Sequence, residues 1–320
     1  MASRTRPVAL FMLALVPFWP AIVPRARPVE HRPAPAVSGE VGRLCTPVLG
    51  NKLFRREAAR CLMAGQGMWI YEFNRVEGGD PEAIVTRMRR MGISYILIRA
   101  GSSRMGFYAQ RDLDRILPVA HKHGLKVLVW DFPYFYNPVE DAKRATRELN
   151  YTTPTGHRPD GLVPDIEEPA QGVHLSARAV DVYGRELRRR LGPNAIVIAT
   201  TPRPTPPRVA NYPYREVARH FDAIAPMVYW GDEDPEGAVT RAIVRLQPYG
   251  LPVIPVGQSY DMRPEGGPGH PSAGATRKFM ARAYALGAPG VSFWSWQHAK
   301  SHNWFAIRNF SRAHPLGRIP

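Results

Sequence analysis

Residues 124–140 read GLKVLVWDFPYFYNPVE. A glycine suited to a helix end precedes an apolar run of strand length, Lys126–Asp131. An aromatic loop follows. Asn137-Pro138-Val139-Glu140 then puts a capping side chain before a proline at the first helical position. Asp80-Pro81-Glu82 and Asp234-Pro235-Glu236 carry the same start signal, and Gly92, Gly192, Gly250 and Gly287 stand at matching helix ends. Working outward from this unit, strands are expected at Met68–Phe73, Tyr95–Arg99, Lys126–Asp131, Gly161–Glu167, Ala195–Thr200, Ala223–Tyr229, Pro252–Gln258 and Gly290–Trp296. Eight strand–helix units over residues 67–311 predict the α/β class and a closed (β/α)8 TIM barrel. An open doubly wound sheet calls for a Gly-rich turn after its first strand, and Asn74-Arg75-Val76-Glu77 is no such turn.

The N-terminus has a different character. Met1 to Arg6 carries two arginines, and PVALFMLALVPFWPAIV follows. A charged region before an apolar one reads as a secretory signal peptide over residues 1–36, with Ala34-Pro35-Ala36 as a small-x-small cleavage site. An uncleaved N-terminal anchor is the alternative, and it is the only membrane contact expected. Either way the chain is expected to be secreted or at the cell surface. Export makes pairing of Cys45 with Cys61 the expectation, two free buried thiols being the alternative. Residues 37–66 form an N-terminal extension carrying this cysteine pair, and residues 312–320 a tail.

Composition narrows the function. Hydrophobic residues at 44% and charged residues at 22% fit a globular chain. The net charge is +16, from 43 Lys and Arg against 27 Asp and Glu. Only six of the basic residues are lysine, and the arginines are scattered over solvated faces. No nucleic-acid reader motif accompanies them, so no nucleic-acid partner is expected. With 2 cysteines and no cluster of ligands, neither a metal nor a cofactor is expected.

Enzymes of this fold work at the C-terminal ends of the strands. The residues expected there are Glu72, Arg99, Trp130, Asp131, Asp165, Glu167, Tyr229, Trp230, Asp232, Gln258, Tyr260, Trp294 and Trp296. These are carboxylates among aromatic rings, a set suited to sugars, whose C–H faces stack on flat rings. Asp160-Gly161-Leu162-Val163-Pro164-Asp165-Ile166-Glu167 is the strongest local signal. A strand period of two puts Asp165 and Glu167 on one face above Val163. Two such close carboxylates cannot both ionise easily, so one should keep its proton near neutral pH, as glycosidic cleavage requires. The alternative is an ion-pair site with arginines such as Arg99.

This segment resembles the strand-four signature of the chitinase-type glycoside hydrolases (family eighteen), Asp-x-x-Asp-x-Asp-x-Glu. Asp160, Asp165 and Glu167 match, and Val163 stands in place of the middle aspartate. Met227-Val228-Tyr229 is similar to the family's Met-x-Tyr, and Trp294 or Trp296 to its strand-eight tryptophan. The lysozyme-type family twenty-five also carries Asp-x-Glu on a barrel strand, but needs a first-strand aspartate where Glu72 is offered here. The resemblance implies Glu167 as general acid, Asp165 as the residue orienting an N-acetyl group, and Tyr229 as a positioning group. The expected partner is a polysaccharide or cell-wall glycan such as peptidoglycan or chitin. The alternative is a catalytically silent barrel that binds glycans.

Overall fold

The computed structural model describes residues 52–315. Eight parallel strands form the barrel: β1 (Gly65–Ile70), β2 (Ile93–Ser102), β4 (Lys126–Phe132), β5 (Gly161–Pro164), β6 (Ile198–Pro202), β7 (Ala223–Val228), β8 (Val256–Gln258) and β9 (Gly290–Trp294). A two-residue strand, β3 (Gly106–Phe107), turns back antiparallel on β2. The helices are α1 (Lys52–Leu62), α2 (Pro81–Met91), α3 (Gln110–Lys122), α4 (Pro138–Leu149), α5 (Ala177–Arg190), α6 (Pro206–Asn211), α7 (Tyr214–His220), α8 (Pro235–Leu246), α9 (Ala273–Ala285) and α10 (Ser301–Ala313).

Neighbouring strands run β5-β4-β2-β1-β9-β8-β7-β6. The β5/β6 seam is held by bridges Leu162–Val197 and Asp165–Thr200, with Leu162 N donating to Ile196 O at 3.1 Å and Ile166 N to Thr200 O at 3.0 Å. A nearly closed (β/α)8 barrel results. All eight expected strands are present. The seventh is shorter than expected because Pro252 and Pro255 lack the N–H a ladder needs, leaving one bridge, Ile224–Val253, before β8 begins.

Alternation along the strands sorts side chains into two cores. Trp69, Tyr95, Leu97, Leu128, Trp130, Val163, Ile198 and Val256 fill the barrel interior, where Ala223 and Ala225 make room for the indoles. Intervening residues such as Ile96, Val129, Leu162 and Ile224 meet the helices. Three helix starts behave as expected. Asp80 accepts from Glu82 N, Asn137 from Val139 N and Glu140 N, and Asp234 from Gly237 N. Gly92 closes α2 in the left-handed conformation at φ 71°. Gly192 plays no such part: α5 ends at Leu191 in extended backbone.

The two barrel ends differ. At the N-terminal end, α1 acts as a plug. Its Ala59, with Met63 just beyond, joins the interior core, Arg55 pairs with Asp222 at 3.0 Å and Lys52 donates to Ala218 O at 2.8 Å. The Cys45–Cys61 pairing lies outside the described residues at its Cys45 end, as does the whole 1–36 segment. The proline-rich residues 202–213 contain α6, whose first position takes Pro206. The C-terminal ends of the strands remain to form a site.

Candidate active site

Asp165 and Glu167 owe their placement to backbone bonds around β5. Asp165 N donates to Asp131 O at 2.8 Å on one side, and Ile166 N reaches Thr200 O on the other. Ile166 turns toward the helices, and its carbonyl accepts from Tyr212 Oη at 2.7 Å. The residues either side of it therefore face the mouth. Asp165 is buried, and its Oδ1 has no hydrogen-bond partner. Burial, then the Glu167 charge, push its carboxyl well above the usual range, against the pull of Arg99.

Glu167 makes no ion pair among the described residues. Burial and the neighbouring Glu168 charge raise its pKa to about 7, while a backbone N–H and Arg208 pull the other way. Glu168 itself is held by Arg208 in a fork of 2.7 and 2.5 Å. Glu167 is thus a carboxyl whose pKa is raised to about 7, beside a second carboxyl that is also pushed up.

Aromatic rings surround the pair. Trp69, Trp130 and Trp294 meet edge to face, with centroids 5.6 Å apart for Trp69–Trp130, 5.9 Å for Trp69–Trp294 and 5.6 Å for Trp130–Trp294. The indole N–H of Trp69 donates to Ser292 Oγ at 2.9 Å and that of Trp130 to Ile70 O at 3.1 Å, which fixes both rings. Trp294 keeps part of its surface open, and the Trp294–Ser295 peptide is cis. Tyr71 stands against Trp294 at 6.2 Å. The Arg99 guanidinium lies over Tyr71 at 4.9 Å and over Trp130 at 5.1 Å. On the far side Tyr229 and Tyr260 meet at 5.3 Å. Burial chiefly pushes the Tyr229 phenol up, with lesser contributions from Tyr260, Asp165 and Glu167. Tyr260 Oη donates to Glu265 at 3.2 Å within the loop after β8.

Asp165, Glu167, Arg99, Trp130, Tyr229, Tyr260 and Trp294 therefore converge. Six other expected residues stand elsewhere or are engaged. Asp131 is one residue out of phase with Trp130 and faces the helices, where Arg144 grips it at 2.9 and 2.8 Å. Trp230 packs outward on Phe279 at 5.1 Å. Trp296 lies beyond the end of β9, against Trp304 at 4.9 Å. Glu72 is exposed and pairs with Arg75 at 3.1 Å. Asp232 is exposed on the rim. Gln258 is buried but spent on backbone, accepting from Gly231 N at 3.2 Å and donating to Tyr260 O at 3.3 Å. Tyr71 was missed. Its signal was present, since it shares strand phase with Trp69, whereas Glu72 has the opposite phase. Thr200, which is bridged to Asp165, contributes a buried Oγ1 with no partner.

No protein-family model matches the chain, and no curated protein matches its sequence. Solved structures match it in fold. A family GH18 chitinase from Cycas revoluta superposes with a TM-score of 0.53 at 11% identity, covering 77% of this chain and 99% of that one. The spore cortex-lytic enzyme of Bacillus cereus gives 0.55 at 13% identity over 76% of this chain and 73% of that one. A chitinase from Chromobacterium violaceum gives 0.54 at 10% identity over 77% and 98%. What these enzymes share with this chain is the (β/α)8 barrel fold.

Proposed function

We propose that this chain is an exported glycoside hydrolase acting on a cell-wall or related glycan, with Glu167 as general acid. The carrying observation is the state of Glu167, an acid with a pKa of about 7 in a mouth walled by Trp130, Trp294, Tyr229 and Tyr260. Its proton goes to the glycosidic oxygen as the bond from that oxygen to the anomeric carbon breaks. The bonding pair leaves with the oxygen, and positive charge develops on the sugar. Asp165 sits where the chitinase-type resemblance implies a group orienting an N-acetyl arm. In that scheme the arm's carbonyl oxygen takes the anomeric carbon, and water later releases the sugar. Tyr229 faces both carboxyls and positions the reacting ring. The N-terminal charged and apolar run supports export, and export supports a Cys45–Cys61 disulfide.

A second reading has one observation in its favour. Val163 is fully buried and apolar directly below Asp165, where the chitinase-type signature has a further acid. On that reading the barrel binds glycans without cleaving them. Activity of wild type and Glu167→Gln on soluble chitin oligomers and on peptidoglycan, beside a pull-down with each polymer, separates the two. The hydrolase reading expects products from wild type and few from the variant. Retained binding with no products from wild type establishes the silent barrel instead.

A further inference from the structure

The mouth holds a cation without an anion. Arg99 extends into the barrel from β2, in phase with the interior residues Tyr95 and Leu97. Its Nε is buried and has no hydrogen-bond partner, and the side chain forms no ion pair among the described residues. Arg56 on α1 and Arg308 on α10 likewise have a buried Nε without a partner, but they lie away from the mouth, and other arginines are paired. Arg144 is held by Asp131 and Asp141, Arg188 by Asp222 and Arg208 by Glu168. Arg99 has only the faces of Tyr71 and Trp130. Such faces attract a cation but accept none of its in-plane N–H groups, which a planar guanidinium offers as a fork matched to a carboxylate. Asp165 makes no ion pair with Arg99, and burial and Glu167 push its carboxyl well above the usual range. Arg99 is half-buried, and a guanidinium with an open in-plane edge favours a carboxylate there. Asp165 Oδ1 and Thr200 Oγ1, buried beside the mouth, are also without protein partners.

We infer that Arg99 reads a carboxylate on the substrate, so that this site takes an acidic glycan whose charged sugar lies over the tryptophan floor. This inference rests on the glycan-cleaving reading above. The net charge of +16 agrees with it, since a basic protein gathers anionic polymer at long range. The carboxylate has two chemical sources, the lactyl ether of a muramic sugar or the C6 acid of a uronic sugar.

The test is a binding measurement on Glu167→Gln protein, so that ligand is not consumed. The probes are peptide-free peptidoglycan strands and hyaluronan oligosaccharides, each native and after chemical reduction of its carboxylates to alcohols. Arg99 is expected to favour the native form over the reduced form by roughly 10- to 100-fold in one arm, and that arm identifies the source. Arg99→Met should bring the ratio close to one, and Arg99→Lys should keep part of it, since charge remains without the fork. Equal binding of native and reduced ligand in both arms overturns the inference, and so does absence of binding in all arms. The native-to-reduced comparison with Arg99 intact stands even if a variant misfolds. Wild-type turnover is scored separately. Carboxylate preference without turnover sinks the hydrolase reading alone, and turnover without preference sinks the role of Arg99 alone.

Discussion

On the proposed reading Glu167 works in its protonated state, and its pKa of about 7 bounds the working range. Activity on a glycan should hold below about pH 7 and fall about tenfold per unit above it, read as kcat/KM against pH. An alkaline limb near the ordinary carboxylate range would contradict this. The limb is set by burial and by Glu168, while Asp165 bears the cost of its own proximity to Glu167. Glu168→Gln removes a like charge and frees Arg208, and both changes favour ionised Glu167. That variant should move the limb to lower pH, whereas an unmoved limb would show that Glu168 has no influence. Linkage has a matching sign. A raised folded pKa means stability is fully present below the unfolded value of about 4.5 and is lost as pH rises through about 7. Glu167→Gln should therefore be more stable than wild type above pH 7, by at most about 3 kcal/mol, and equal to it in acid. Thermal melts at both pH values check this. Phase decides which residues at this scale were legible. Period two correctly paired Asp165 with Glu167, yet counting from the strand end admitted Asp131 and Trp230, each one position from the interior residue.

Elements hold these residues through contacts that no local pattern announces. Between β4 and α4, Arg144 bridges Asp131 and Asp141, while Glu148 is buried beside them with its carboxyl pushed well up by burial and by Asp131. Asp141 also accepts from Ser103 Oγ at 2.6 Å and from Phe135 N at 3.1 Å, so the network pins the loop that follows β4. Arg144→Met should cost roughly 3–5 kcal/mol by stranding buried carboxylates. Urea unfolding measures it, and a loss under 1 kcal/mol would mean the carboxylates take up protons at little cost. At the other end, a methyl group added to Gly290 would lie 2.1 Å from Met63 O and 2.5 Å from Gly65 O. Both are backbone atoms of the turn joining α1 to β1, so nothing can rotate away. Gly290→Ala should lower the melting temperature by the equivalent of 1–3 kcal/mol or more. Strand–helix alternation and the Asn-Pro and Asp-Pro starts made the elements legible, because those signals are local. The plug by α1 and the Arg144 network were not, because their partners lie far apart in sequence.

For the molecule as a whole, a barrel stoppered at one end leaves one mouth, and the full chain carries a net charge of +16. Association with an anionic glycan should weaken steeply as ionic strength rises and the screening length contracts from about 30 to about 3 Å. Binding of neutral chitin oligomers should change little over the same range. Equal salt dependence for the two would remove long-range attraction from the account. The barrel itself was legible because eight units of one kind admit few closed arrangements. The central claim is that Glu167 donates the proton, and leaving-group dependence tests it most directly. Wild type and Glu167→Gln should be compared on a natural glycan and on the corresponding aryl glycoside, whose leaving group needs little acid help. The variant is expected to lose about 10²–10⁴-fold on the glycan and markedly less on the aryl glycoside. Equal rates for the two proteins on the natural glycan would contradict the claim and return the acid to be sought elsewhere in the mouth.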